Sequence, residues 1–61
     1  MNEYHVMPAF DRPGWAVRRT GARRATKIHP EKQDAIEDAK RRGDVVYVHR
    51  KDGMVENRIE R

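Results

Sequence analysis

The segment WAVRRTGARRATK, residues 15–27, carries Arg18, Arg19, Arg23, Arg24 and Lys27 and no acid. The chemistry open to such a run is anion capture. A guanidinium presents planar, charge-assisted donors that match phosphate oxygens, and a lysine adds a point charge. On a strand, Arg18 and Thr20 would share one face, with Arg23 and Arg24 joining them from the loop after Gly21. Tyr47 is expected on that same face and is the candidate stacking platform, since aromatics beside basic groups hold bases in single-strand binders. The candidate nucleic-acid-binding residues are thus Arg18, Arg19, Arg23, Arg24, Lys27 and Tyr47, with DNA or RNA as the ligand. The competing reading of the run is a solvated sheet edge, which basic side chains protect against aggregation.

Other chemistries find less support. His5, His29 and His49 show no His-x-x-His or His-x-x-x-His spacing, and the chain has no cysteine, so no metal site is expected. His5 and His49 could be neighbours in a sheet, and His49 is expected to pair with Glu56 across a hairpin. Cysteine and serine are both absent, leaving Thr20, Thr26, Tyr4 and Tyr47 as hydroxyls, none within a nucleophile motif. Asp34, Glu37 and Asp38 read as a solvated helix surface. Asp52-Gly53 reads as turn chemistry, without the further oxygen ligands that calcium needs. No catalytic residue, cofactor or small-molecule substrate is therefore expected, and the chain is not read as an enzyme.

The net charge of +4 has a definite address. Residues 12–27 carry +6, the first eleven residues −2, and residues 28–61 balance to zero. Basic excess confined to one segment suits a polyanionic partner, although such asymmetry is also common on small basic domains. No apolar run approaches the ~20 residues of a membrane span, and no signal-peptide pattern opens the chain. A cytoplasmic protein with no membrane partner is expected.

These side chains need a scaffold, and 61 residues supply one domain, read as 1–61. A chain of this length buries only about 60% of its unfolded surface, so its core is thin. Leucine is absent, leaving valine, isoleucine, alanine and aromatics, which suit a pleated sheet better than a helical bundle. EYHVMP alternates as a strand, and AFDRPG is turn material. WAVRRT forms a second strand that ends at Gly21. RRATKI is either a short third strand or an extended approach to a helix.

HPEKQDAIEDAKRRG predicts that helix, with Pro30 at its first position, acids early, bases late and Gly43 as the stop. Its apolar stripe, Ala35, Ile36 and Ala39, is narrow enough to lie close on a sheet. DVVYVHRKDGMVENRIE predicts a hairpin about Asp52-Gly53. A loop of even length would set Val46 and Val48 on the face of Val55 and Ile59, leaving Tyr47, His49, Glu56 and Arg58 opposite. The expected fold is α+β, order β-β-(β)-α-β-β: an antiparallel sheet of three to four strands with one helix on one face. Its core would be Tyr4, Val6, Trp15, Val17, Ile28, Ala35, Ile36, Ala39, Val46, Val48, Val55 and Ile59.

Four stretches, YHVMP, GWAVRRTGARRATK, DAIEDAK and VHRKDGMV, together resemble the uncharacterised bacterial and phage domain-of-unknown-function family 2188. Members of that family show HVVP, GWAVK followed by GAKRA, a helix with EAI, and a closing HGKDG hairpin. The departures are Met7, Arg50 where a small residue is expected, and a shorter helix. The resemblance implies a compact ββαββ module and no established activity.

Two readings of function follow. In the first, the chain is a small non-enzymatic module whose open basic face contacts nucleic acid through phosphates. In the second, it is a protein-interaction or accessory module, as a weak homodimer for instance, that buries the same face or an edge strand.

Overall fold

A computed structural model describes residues 2–60, so Met1 and Arg61, the ends of the expected 1–61 domain, lie outside the described residues. The elements are β1 (Glu3–Pro8), β2 (Trp15–Arg19), β3 (Lys27–His29), α1 (Lys32–Arg42), β4 (Val45–His49) and β5 (Val55–Glu60). They build an α+β fold with one helix on a five-stranded sheet of order β3-β2-β1-β4-β5. RRATKI therefore does yield a short strand.

The sheet is mixed, which corrects the antiparallel sheet of three to four strands. β1 pairs antiparallel with β2 but parallel with β4. The connectivity explains this. Two antiparallel steps make β3 run parallel to β1, and residues 30–44 then carry the chain through α1 to the far side of β1. A crossover through a helix returns the next strand in the same direction. β1 thereby becomes the central strand, and its Val6 is fully buried.

The core lies between sheet and helix. Val6, Val17, Val46 and Val48 point up from the sheet to meet Ala35 and Ala39 of the helix. Tyr4, Trp15, Ile36 and Ile59 pack around this cluster, half-buried. Helical methyl groups at Ala35 and Ala39 let α1 lie close on the valines. The same closeness governs the helix end, where a Cβ on Gly43 would stand 2.5 Å from the Tyr4 ring. Gly43 is needed for that space rather than for a left-handed turn, because its backbone is extended. The helix begins at Lys32 with Glu31 as its N-cap, so Pro30 precedes the helix instead of opening it.

Two expected core residues lie elsewhere. Ile28 stands opposite Ala16 and faces away from the helix. Val55 is exposed, because the β4–β5 connection is an odd loop of residues 50–54, closed by Arg50 N–H to Met54 O at 2.7 Å. A β-bulge then corrects the register, since His49 pairs with Val55 but Val48 pairs with Asn57. Glu56 is the extra residue, and the bulge brings Val46 opposite Ile59 as the apolar pattern requires. Glu56 pairs with Lys32 of the helix rather than with His49, which corrects the expected His49–Glu56 contact. No helix among the described residues is long and apolar enough to cross a membrane.

Candidate nucleic-acid interface

The helix covers one sheet face only, and strand alternation decides what the other presents. His5 stands opposite Arg18 and Tyr47, Met7 opposite Ala16, and Ala16 opposite Ile28. These residues form the uncovered face, joined by Val45, His49 and Arg58. Arg18 and Tyr47 therefore share a face as expected. Arg19 stands opposite Tyr4 and Lys27 opposite Val17, both on the helix side, so neither joins the other candidates.

Two clefts open on the uncovered face. One, of about 460 Å³, has Met7, Ala16, Ala25 and Ile28 as apolar lining and Arg12, Arg18, Arg23 and Arg24 as cations. Asp11 is the single acid there, and it lies 3.5 Å from Arg12. The other cleft, of about 520 Å³, lies towards the β4–β5 loop and takes Arg18, His49, Lys51 and Asp52. Both clefts share Phe10, whose side chain is wholly exposed at 103%. The Nε of Arg18 is enclosed and has no acceptor among the described residues.

A chain of hydrogen bonds crosses the face beside the clefts. The Gly53 carbonyl can only accept, so His49 Nδ1 donates to it at 2.9 Å. His49 Nε2 and His5 Nδ1 share a hydrogen bond of 2.8 Å, and His5 Nε2 lies 3.0 Å from the Thr20 hydroxyl. With His5 neutral, its ring proton serves one of these two bonds and its lone pair the other. Burial, with His49 and Arg18 nearby, holds His5 below its ordinary pKa, and Glu3 opposes this only in part. Hydroxyl, base and orienting group thus stand in the order of a nucleophilic site. Of the backbone donors beside the hydroxyl, Thr20 N–H bonds to Glu3 O and Ala22 N–H to Arg19 O. The hydrogen-bond chain ties β1, β2 and the β4–β5 loop together.

Tyr47 is committed to this framework. Its ring stacks on His5 at 5.0 Å between centroids, and the Arg58 guanidinium sits 5.8 Å from its centroid. It is flanked from both neighbouring strands and half-buried. Phe10, by contrast, stands wholly exposed on the loop beside this face. A large apolar residue within a Pro/Gly turn, with no strand to bury it, was the available signal.

On the helix side a second polar cluster sits at the core's rim. Asp38 is buried at 6% exposure, not on the helix surface as expected. Its carboxylate accepts from His29 Nε2 at 2.8 Å and from Arg42 Nε at 2.9 Å. Burial alone would raise its pKa, but these bonds outweigh burial and hold it below the ordinary value. The helical period carried the signal, because Asp38 is three residues from Ala35 and Arg42 four further on.

Fold and surface together define a class: a small α+β domain with one helix on a mixed sheet and a basic, apolar-floored cleft on the uncovered side. Within that class, the chain belongs to the family described as "Uncharacterized protein conserved in bacteria (DUF2188)", whose model matches residues 4–61. It is 43% identical over 51 residues to the uncharacterized protein YdaT of Bacillus subtilis (strain 168). That match covers 77% of this chain and 34% of the Bacillus protein, so the chain spans about a third of its relative's length. No solved structure matches.

Proposed function

We propose that this domain is a non-enzymatic module that binds DNA or RNA through its uncovered sheet face, in the cytoplasm. Arg12, Arg18, Arg23 and Arg24 hold phosphates there, while Arg19 and Lys27 do not take part. The observation that carries this reading is the convergence of four arginines, from β2 and two separate loops, on one apolar-floored cleft. A merely solvated edge has no reason to gather its cations around a concavity. Protein docking through an apolar patch is less well supported, because four arginines beside a single acid favour an anionic partner.

The test is fluorescence anisotropy with labelled DNA and RNA across a salt series. Each neutralised phosphate releases condensed counterions, so four contacts predict a slope of log K on log salt of about −3 to −4. Arg23→Ala with Arg24→Ala should flatten that slope by about 1.5 and weaken all sequences alike, because phosphate contacts position without specifying. Both side chains are exposed, so the melting temperature should hold. No binding at about 50 mM salt, or binding untouched by the double variant, defeats the proposal.

A further inference from the structure

We infer that the nucleic acid taken by this face is a single strand, laid across Phe10 with a nucleotide on either side of the ring. This rests on the nucleic-acid reading above and adds the form of the ligand. Three observations carry it.

Phe10 has no contact to lose, since at 103% exposure both faces of its ring are bare. Isolated exposed apolar residues are common and need no explanation. This one, however, stands where two clefts meet, both lined by Met7, Pro8, Ala9, Phe10 and Arg18. Cations line both sides of it: Arg12, Arg23 and Arg24 on one, Lys51 on the other, and Arg18 on both. A backbone with a charge at every nucleotide would meet a cation before and after the ring.

The loop that carries Phe10 is also fixed at its base. Ala9 N–H bonds to Gly14 O at 3.0 Å and closes the loop that carries Phe10. Gly14 has φ +117°, and a Cβ there would stand 2.7 Å from the His29 carbonyl. The loop is thereby seated against β3 in a conformation that only glycine adopts readily.

The lining distinguishes the strand form. Met7, Ala25 and Ile28 offer nothing to a phosphate but suit the flat face or edge of a base. In a duplex those faces are stacked away. In a single strand they are free to stack on an aromatic side chain, largely regardless of sequence.

The experiment uses the whole chain and a labelled single-stranded oligothymidylate, a duplex and a polyglutamate competitor, all at one salt concentration. Phe10→Ala should weaken single-strand binding by about 5- to 150-fold for each base that stacks on the ring, and leave duplex binding unchanged. Its melting temperature should match the parent's, because the ring packs on nothing. Phe10→Trp should keep the affinity and show indole quenching when the strand binds. Equal affinity for duplex and single strand, or single-strand binding indifferent to Phe10→Ala, overturns the inference while leaving phosphate binding by the arginines intact. Failure of the parent to bind either nucleic acid overturns both readings. Stronger capture of polyglutamate than of the strand would also overturn both, in favour of an acidic peptide.

Discussion

Asp38→Asn isolates one buried carboxylate almost without changing its shape. The aspartate accepts from two donors, His29 Nε2–H and Arg42 Nε–H. An asparagine is neutral and has one acceptor oxygen, so with that oxygen on Arg42 Nε–H both bonds lose their charge assistance. Its amide N–H meets His29 Nε2, which must shift its proton to Nδ1 to accept. A hydrogen bond to a charged group contributes about 1.5–3 kcal/mol, and a buried donor left without a partner costs about 1–3 kcal/mol. The Arg42 side chain is 37% exposed, so water can take over part of its share, whereas His29 at 18% is better enclosed. A net loss of about 2 kcal/mol follows, a large part of the stability expected for so small a domain. The melting temperature should fall by about 8–16 °C, since each kcal/mol moves a domain of this size by about 4–8 °C.

Circular dichroism melts at two pH values supply the control. The folded carboxyl sits below its ordinary 3.8, so its contribution is complete above that value and is lost as pH falls through the folded pKa. Near pH 2 a protonated aspartate resembles the asparagine, and the two melts should converge if folding survives. Equal melts at neutral pH, or a gap that persists undiminished in acid, would refute the assignment of Asp38 as the paired carboxylate.

Three further outcomes follow from the packing and the hydrogen-bond chain. Trp15→Ala should cost about 3 kcal/mol, the low end for a large aromatic, because the ring is only half-buried; retained stability in urea titration would remove it from the core. Lys32 Nζ lies 5.2 Å from the Trp15 ring centroid, so Lys32→Ala should alter the indole emission, and unchanged emission would count against that contact. The His5 ring should titrate by NMR below its ordinary 6.5, so its stabilising contribution is whole above 6.5 and lost as pH falls through the folded value; a midpoint at or above 6.5 would break the neutral hydrogen-bond chain.

The local elements were legible because their signals are local. Alternation in YHVMP and WAVRR, and acids before bases in DAIEDAKRR, each lie within one strand or helix, and the structure follows them. The parallel pairing of β1 with β4 was not legible, because it depends on where the crossover lands rather than on either strand's composition. Loop parity shows the same limit in miniature. Apolar spacing correctly required Val46 and Val48 to share a face with Ile59, but an even loop is only one way to arrange that. The chain uses an odd loop and a bulge at Glu56, at the cost of exposing Val55. Asp38 was misplaced by its residue type although its spacing was sound. Charge suggests surface, while its position on the helical period placed it beside Ala35.

The basic run illustrates why composition located the charge but could not aim it. Arg18 and Arg19 are adjacent, so on a strand they must leave by opposite faces. Only register says which of the two meets the helix, and Tyr4 opposite Arg19 settles it. Lys27 is likewise drawn to the helix side by pairing with Val17. Arg12, outside the candidate set because it belongs to the preceding turn, enters instead, since that turn folds over the same sheet face. The segment's charge is thus divided by pleat and regrouped by loop closure. The resulting cluster is smaller than the run but converges on a concavity, and convergence is what a phosphate-binding surface needs. Linear charge density therefore does not say which face a charge takes, whereas cross-strand register does. Substituting Arg19 or Lys27 should leave binding nearly intact, whereas Arg18, at the junction of both clefts, should be the single position whose loss is felt on either side of Phe10.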